Sequence, residues 1–158
     1  MASAFLIDFD QLDLSRTVVS KEQVLKVLKQ RGTFEMVDGL LHFDVSSDIV
    51  VGFKEIVAGD WWTGDHIPGR PLFPGVLMIE AAAQICTYDF MARSEDKDVF
   101  VGFGGLNNTR FRRTVEPGCR LVMAGKLMRS RSRMFTYQAQ GFVDQQLVFE
   151  AEIMGVVV

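Results

Sequence analysis

The stretch from Pro74 to Arg93 constrains the fold of this chain most, because it is apolar on nearly every face of a helix. A proline in the first turn favours a helix start, since its φ is already helical and its missing N–H costs little. A helix that is apolar all round has to be covered by other structure or by lipid. Glu80, Gln84 and Asp89 interrupt the run before a membrane span is complete. We therefore predict a buried central helix over about 74–93.

Segments rich in β-branched and aromatic residues lie on both sides of this helix, and short polar or Pro-Gly turns separate several of them. Before them, Ser20 and Gln23 form a capping-box pattern that starts a short amphipathic helix ending at Gly32, and Trp61 and Trp62 are placed in a loop. A single apolar helix followed by long strands with short turns predicts an α+β chain in which an antiparallel sheet curls round the helix. Strands are predicted at about 36–45, 48–58, 99–104, 109–115, 119–129, 133–143 and 146–157.

The length of 158 residues suits a single domain spanning 1–158. Residues 1–19 show no clear period and are predicted to form an arm whose apolar side chains pack on a neighbour. These side chains are Phe5, Leu6, Ile7 and Phe9. The net charge of −3 gives no general attraction to phosphate backbones, so nucleic acid is not an expected partner.

The cysteine content and the amino terminus together predict a cytoplasmic protein. Cys86 and Cys119 are too few for a disulfide framework and fit a reducing compartment. Residues 1–13 carry acidic side chains and no basic flank before a short apolar run, which is not the pattern of a signal peptide. The histidines and carboxylates lack metal-site spacing, and the sequence has no phosphate-binding glycine fingerprint, so neither a metal nor a cofactor is expected.

Four residues form the strongest candidate site: His66, Gly75, Glu80 and Gln84. Glu80 lies inside an apolar helix, where an unpaired buried charge is too costly, so it has to be paired, reach a pocket or stay protonated. Gln84 follows one turn later on the same face and can hydrogen-bond that carboxyl or a ligand. Gly75 has no side chain at the helix start. A free N–H and the positive end of the helix dipole there favour the binding of a ligand oxygen with negative charge. A surface or structural histidine and a structural ion pair at Glu80 are the alternatives.

This set of groups meets the needs of an elimination next to a thioester carbonyl. An N–H polarises the carbonyl so that the α-proton becomes removable, a base takes that proton, and a carboxyl group protonates the departing β-hydroxyl. The ordered occurrence of His, Gly, Glu and Gln within nineteen residues favours this interpretation. The alternative is that the prolines and glycines of this loop serve only to form turns.

These residues resemble the FabZ-type 3-hydroxyacyl-[acyl carrier protein] dehydratases, and more distantly the FabA-type enzymes. The family motif reads approximately Gly-His-Phe-Pro-Gly-x-Pro-x-x-Pro-Gly-Val-Leu-x-x-Glu-x-x-x-Gln. This chain has GDHIPGRPLFPGVLMIEAAAQ, with no gap from His66 to Gln84. A second segment, FGGLNNTRFRRTVEPGCRL, is similar to the family's Arg-Phe-Arg/Lys-Arg and Val-x-Pro-Gly-Asp region. The resemblance covers most of residues 28–157.

The resemblance implies a hotdog fold and an enzyme of fatty acid synthesis that dehydrates carrier-linked 3-hydroxyacyl thioesters to trans-2-enoyl thioesters. Coenzyme A-linked substrates are an alternative. It implies a homodimer, or a trimer of dimers, in which His66 of one subunit faces Glu80 of the other. In the family the histidine is the base at the α-carbon, the acidic residue serves the β-hydroxyl and the glycine N–H binds the carbonyl. The corresponding residues here are His66, Glu80 and Gly75, with Gln84 in support.

The chain departs from the family around the histidine, where Asp65 replaces a glycine and Ile67 replaces the usual phenylalanine. The family's early Pro-His-Arg-x-Pro-Phe segment appears here as Lys29-Gln30-Arg31-Gly32-Thr33-Phe34. The resemblance also implies an acyl tunnel and a basic contact for the acidic carrier protein. Tunnel candidates are Phe73, Phe100 and Phe103, and contact candidates are Arg110, Arg112, Arg113, Arg129, Arg131 and Arg133.

Two other functions stay open at this point. A hotdog acyl thioesterase would use Glu80 to activate water or to attack the carbonyl that Gly75 polarises. A non-catalytic acyl-thioester-binding subunit would keep the pocket but lose the catalytic geometry through the changes at Asp65 and Ile67.

Overall fold

The computed structural model describes residues 3–158, and its central element is the helix α3 (Gly75–Arg93). Two shorter helices, α1 (Lys21–Leu25) and α2 (Trp61–Asp65), precede it, as does a 3-10 turn at Gly32–Phe34. The predicted central helix is therefore confirmed with almost the same bounds. None of the helices in the described part of the chain combines the length and apolarity needed to cross a membrane.

Seven strands form one sheet in the order β1-β2-β3-β5-β6-β7-β4, and all neighbouring strands are antiparallel. Register shifts interrupt four of these pairings, and such bulges bend a sheet and increase its twist. The predicted α+β class, with an antiparallel sheet around one long helix, is confirmed. The strands are β1 (Val19–Ser20), β2 (Gly39–Phe43), β3 (Ile49–Ile56), β4 (Val101–Phe111), β5 (Cys119–Arg131), β6 (Met134–Val143) and β7 (Gln146–Val157).

Two glycines of the sheet allow α3 to lie close to it. A Cβ at Gly52 of β3 would lie 2.6 Å from the side chain of Ile85, and one at Gly125 of β5 would lie 2.9 Å from Cys86 Sγ. Larger residues at these two positions would therefore push the helix off the sheet. The main core cluster lies between the helix and the sheet and joins α3 to β2, β3, β5, β6 and β7.

A buried polar network fixes the carboxyl end of α3. Asp89 is fully buried and accepts hydrogen bonds from Tyr137 Oη (2.6 Å) and Arg93 Nε (2.7 Å). Arg93 also donates to the carbonyls of Val45 and Ser47 in the β2–β3 turn. Burial, together with the negative charge of Asp89, raises the pKa of Tyr137, so its hydroxyl stays protonated and remains a donor. The network ties the helix end to both β6 and the turn.

The N-terminal arm, residues 3–18, packs on the face of the sheet opposite to α3. Ile7 is buried in a cluster with side chains of β2, β3, β5, β6 and β7. The rings of Phe5 and Phe9 each meet the ring of Phe142 edge-on, with centroids 5.1 Å apart. The prediction that the arm packs on a neighbour was wrong, because these apolar side chains cover the chain's own sheet. Residues 1 and 2 of the predicted arm lie outside the described residues.

Hydrogen bonds from β6 hold the backbone of the arm. Gln140 is fully buried on this strand; its Oε1 accepts from the Leu6 N–H (2.8 Å) and its Nε2 donates to the Ala4 carbonyl (3.0 Å). At the start of the arm, Ser3 Oγ donates to Glu150 Oε1 (2.7 Å). The arm is therefore attached by side-chain hydrogen bonds as well as by apolar burial.

Three local predictions are changed by the structure. The capping box at Ser20 and Gln23 is confirmed, but α1 is shorter than the predicted helix and ends well before Gly32. The predicted loop at Trp61 forms α2 instead. The two strands predicted at 99–104 and 109–115 form the single strand β4, because Asn108 takes a left-handed φ of 48° within a bulge and the strand continues past it.

We expect Gln140→Leu to loosen the arm while the sheet stays folded. The substitution leaves the Leu6 N–H and the Ala4 carbonyl without partners, which costs about 1–3 kcal/mol. Amide hydrogen exchange at Leu6, measured by NMR, should accelerate by about tenfold or more. The control is Gln138→Leu on the same face of β6, where no hydrogen bond to the described arm residues is lost. Equal exchange rates at Leu6 in the two variants would contradict the anchoring role of Gln140.

Candidate active site

One stripe of α3 lines a cavity of about 120 Å³. The stripe consists of Glu80, Ala83, Gln84 and Thr87, which share a helix face because they recur at i, i+3, i+4 and i+7. Gln30, from the segment after α1, also lines the cavity, and the strands β4, β6 and β7 supply the rest. These sheet residues are Val101, Gly102, Phe103, Phe135, Ile153, Met154 and Gly155. Helical spacing could have added Thr87 to the predicted site, whereas Gln30 and the sheet residues carry no signal in the local sequence.

The buried amide of Gln84 holds the carboxylate of Glu80 in place. Gln84 Nε2 donates to Glu80 Oε1 (2.8 Å) and to the Phe34 carbonyl (2.9 Å), and Gln84 Oε1 accepts from the Met36 N–H (3.2 Å). A carbonyl only accepts and an N–H only donates, so these contacts determine which way the amide points. Within residues 3–158, Oε2 of Glu80 has no hydrogen-bond partner, and it is the carboxylate oxygen left for a ligand.

Gly75 is the first residue of α3 and follows Pro74 at the N-cap. A Cβ at this position would lie 2.9 Å from the ring of Phe111, so glycine allows the end of β4 to pack against the helix start. The first N–H groups of a helix have no intrahelical acceptor and lie at the positive end of its dipole. This end of α3 can therefore hold an oxygen that carries partial negative charge.

His66 directly follows α2 at the start of an exposed loop. Its Nδ1 lies 2.8 Å from the carbonyl oxygen of Leu72. Because a carbonyl can only accept, the proton of this hydrogen bond lies on Nδ1, and Nε2 has no hydrogen-bond partner among residues 3–158. The backbone N–H of His66 donates to the Trp62 carbonyl (2.9 Å), which fixes the position of the residue. The ring is thus oriented with Nε2 available to a ligand.

A single chain brings Glu80 and Gln84 together but leaves His66 apart from them. The residues that line the Glu80 cavity do not include His66, which is exposed. The cavity is also small in a single chain, at about 120 Å³. Within one chain, His66 and Glu80 therefore do not line the same cavity.

The three predicted tunnel residues lie in three different environments. Phe103 lines the Glu80 cavity. Phe73 is buried in the core, where its ring meets that of Trp62 at a centroid distance of 5.1 Å. Phe100 is 57% exposed. The tunnel role of all three stays a prediction.

The six candidate arginines form two groups toward opposite ends of the sheet. Arg110, Arg112 and Arg113 lie at the end of β4, near the start of α3, and Arg112 Nε donates to Glu150 Oε2 (2.9 Å). This contact with Arg112 holds the pKa of Glu150 below its usual value. The second group, Arg129, Arg131 and Arg133, lies at the hairpin between β5 and β6, where Arg133 donates to the Val157 carbonyl.

Known proteins similar to this chain are dehydratases by sequence. A sequence model of the FabA-like domain family matches residues 28–152. The 3-hydroxyacyl-[acyl-carrier-protein] dehydratase FabZ of Albidiferax ferrireducens is 34% identical over 143 residues, which cover 89% of this chain and 95% of the relative. The FabZ of Syntrophobacter fumaroxidans is 33% identical, over 85% of this chain and 91% of the relative.

Solved structures that resemble this chain share its fold at low sequence identity. The dehydratase heterocomplex ApeI:P from Xenorhabdus doucetiae gives a TM-score of 0.72 at 12% identity, over 85% of this chain and 90% of that one. A mutant thioesterase from Pseudomonas aeruginosa gives 0.68 at 14% identity, over 92% of this chain and 99% of that one. These likenesses confirm the predicted hotdog fold, and they do not separate a dehydratase from a thioesterase.

We expect Gln84→Met to destabilise the chain and release the Glu80 carboxylate. Methionine fills a similar volume, but the Phe34 carbonyl and the Met36 N–H lose their partner, which costs about 2–3 kcal/mol in the free energy of unfolding. Urea denaturation checks this value. The control is Thr87→Val, one turn further along the same helix face, which should change the unfolding free energy by about 0.5 kcal/mol or less. If Gln84→Met leaves the free energy of unfolding unchanged, the amide holds neither the segment at residues 34–36 nor Glu80.

Proposed function

The chain belongs to the FabA-like family, as its sequence motif predicted, and on that premise we propose that it is a 3-hydroxyacyl-[acyl-carrier-protein] dehydratase of fatty acid synthesis. One observation carries this proposal. The match to a FabZ dehydratase spans 89% of this chain and 95% of the relative, so it covers nearly the whole length of both proteins. The enzyme is a hydro-lyase that converts a 3-hydroxyacyl thioester to a trans-2-enoyl thioester and water.

The proposed mechanism uses three groups: the N–H of Gly75, the imidazole of His66 and the carboxyl of Glu80. The N–H of Gly75 donates a hydrogen bond to the thioester oxygen and stabilises the negative charge that develops there, which makes the α-proton removable. His66 Nε2 takes that proton, and the C–H electrons form the new double bond. The Glu80 carboxyl gives its proton to the 3-hydroxyl, and the C–O electrons leave with the oxygen as water. Transfer of the proton from His66 back to Glu80, directly or through solvent, restores the enzyme.

We further propose that the site is completed in a homodimer, with His66 of the partner subunit facing Glu80. Three features of the single chain support this arrangement: the small cavity, the exposed histidine and the free edge of β4. That edge strand presents large apolar side chains, with Phe103 53%, Leu106 42% and Phe111 51% exposed. An apolar edge strand without cover is uncommon in a monomer, because it invites pairing with another chain.

For the carrier protein, we propose a contact at the β5–β6 hairpin. Arg112 is paired with Glu150, whereas Arg110 and Arg113 beside it, like Arg129 and Arg131 of the hairpin, form no ion pair with the described residues. The hairpin adjoins the sheet wall of the cavity, since Phe135 of that wall directly follows it. An acidic carrier would therefore find positive charge beside the cavity on a chain whose net charge is −3.

The proposed compartment is the cytoplasm. Cys86 is buried and Cys119 is half-buried, and both are free thiols. This state agrees with a reducing environment.

The purified protein is expected to hydrate a short trans-2-enoyl thioester, with loss of enoyl absorbance and no release of thiol. His66→Ala and Glu80→Gln should each lower kcat/KM by about 10²–10⁴-fold, because each removes a proton-transfer group. His42→Ala and Glu55→Gln on the sheet serve as matched controls. Thiol release that survives His66→Ala would instead identify a thioesterase. Tight binding of the acyl carrier without turnover, unchanged by Glu80→Gln, would identify a non-catalytic binding subunit.

A second experiment tests the shared site. If each site combines one His66 with the Glu80 of the other chain, a mixed dimer of His66→Ala and Glu80→Gln chains keeps one intact site. Refolding the two inactive variants together in equal amounts should then restore about a quarter of the wild-type activity, since half of the dimers are mixed. His66→Ala refolded alone is the control. Mixtures that stay inactive while forming dimers, measured by light scattering, would contradict the shared site.

A further inference from the structure

The proposed base lies on a loop that has little cover of its own. Residues 64–71, which include His66, are all exposed, and the nearest buried side chains on either side are those of Trp62 and Phe73. Exposed loops are among the least restrained parts of a fold. The position of His66 therefore depends on the two buried side chains that hold the ends of the loop.

These two residues carry or adjoin the carbonyl oxygens that lie within hydrogen-bond distance of His66. The carbonyl of Trp62 accepts from the backbone N–H of His66 (2.9 Å). The carbonyl of Leu72, the residue before Phe73, lies 2.8 Å from His66 Nδ1. The first contact fixes the backbone of the histidine and the second fixes its ring. Both can form at once only if the separation between the two carbonyls is maintained.

The rings of Trp62 and Phe73 contact each other in the core and thereby set that separation. Their centroids are 5.1 Å apart, and the rings meet edge-on. Both side chains are buried and belong to the main core cluster. The Phe73 N–H also donates to the Val115 carbonyl (2.7 Å). The pair joins the two ends of the loop and attaches both to the core.

Tryptophan at position 62 is an unfavourable choice if packing alone is considered. Its indole Nε1–H is buried and has no hydrogen-bond acceptor among residues 3–158. An unpaired buried donor loses its hydrogen bonds to water without replacement, and folded proteins contain few such groups. A phenylalanine or a leucine would be buried without that loss. Native proteins break such rules mainly at functional sites, so the indole points to a role beyond core packing.

We propose that Trp62 is a positioning residue for the base, a role that rests on the proposed dehydratase function. The indole, in contact with Phe73, holds the carbonyls of Trp62 and Leu72 at the separation that His66 spans. The same pair positions the start of α3, because Gly75 lies two residues after Phe73. The base and the N–H that polarises the thioester carbonyl therefore share one anchor. A smaller ring at position 62 lets the loop shift and displaces Nε2 while every catalytic group is still present.

The test is Trp62→Phe, which keeps an aromatic ring and removes the unpaired N–H together with part of the contact area. We expect kcat for dehydration of a 3-hydroxyacyl thioester to fall by about tenfold to a hundredfold, since a displacement of about 1 Å has effects of that size. KM should stay nearly unchanged, because no residue that lines the Glu80 cavity is altered. The urea midpoint should change little, because loss of the unpaired donor offsets the lost contact.

The ring of His66 gives a readout that does not depend on activity. His42 is the other histidine of the chain, so NMR of the imidazole nitrogens shows two rings, and His42→Ala assigns them. In the wild type, at a pH where the ring is neutral, the proton should lie on Nδ1, where the Leu72 carbonyl accepts it. In Trp62→Phe the tautomer with the proton on Nε2 should gain population.

Phe142→Leu is the matched control, because it reduces a buried aromatic side chain on the opposite face of the sheet. It should lower the urea midpoint and leave both kcat and the tautomer of His66 unchanged. Phe73→Leu tests the pair from its other side and should reproduce the effects of Trp62→Phe on kcat and on the tautomer. Because the two rings act as one unit, the double variant should be little slower than either single variant.

The outcomes separate this role from the proposed function. A Trp62→Phe variant with normal kcat overturns the role of Trp62 alone, as does a slow variant whose His66 tautomer is unchanged. Effects of the two substitutions that multiply in the double variant overturn the shared anchor. A wild type that hydrates no carrier-linked enoyl group overturns the proposed function, whereas a tautomer shift in Trp62→Phe still supports the positioning of His66. A slow Trp62→Phe with unchanged KM and a shifted tautomer supports the role in full.

Discussion

The packing of α3 against one face of the sheet is the contact on which the rest of this structure depends. The helix is apolar around its circumference, so burial of its side chains supplies much of the driving force for folding, at about 1.5–3 kcal/mol for each large apolar residue. Gly52 and Gly125 let the helix approach, and bulges bend the strands around it. Every polar side chain on α3 then needs a partner, and Asp89 finds Tyr137 and Arg93.

The candidate site follows from the same requirement. Gln84 is nearly as buried as the apolar residues around it, and it satisfies its amide with the backbone of residues 34–36 and with Glu80. The carboxylate is thereby held where the helix borders the 120 Å³ cavity. The opposite end of the motif depends on backbone groups alone, since the helix start at Gly75 offers N–H groups and the Leu72 carbonyl orients His66.

The departures from the family motif lie outside the contacts that orient the histidine. Asp65 is the last residue of α2, and Ile67 is 40% exposed on the following loop. The ring of His66 is oriented by the hydrogen bond between Nδ1 and the main-chain carbonyl of Leu72. Neither Asp65 nor Ile67 takes part in this contact. The small cavity, the exposed histidine and the uncovered apolar edge of β4 have a common explanation in the proposed dimer, because one neighbouring chain would cover all three.

The sequence by itself determined the elements whose signals are local. Apolar periodicity and turn or cap residues within short segments predict four features of the structure. These are the bounds of α3, the last three strands, the capping box at Ser20 and the Glu80–Gln84 stripe. Tertiary structure decided everything that depends on distant partners. The arm covers its own sheet because Phe142 and Gln140 face it, and β4 continues through its polar middle because β7 pairs with it on both sides of the bulge. Gln30 reaches the cavity only because the fold packs the end of α1 beside α3, a contact between segments about fifty residues apart that no local pattern encodes.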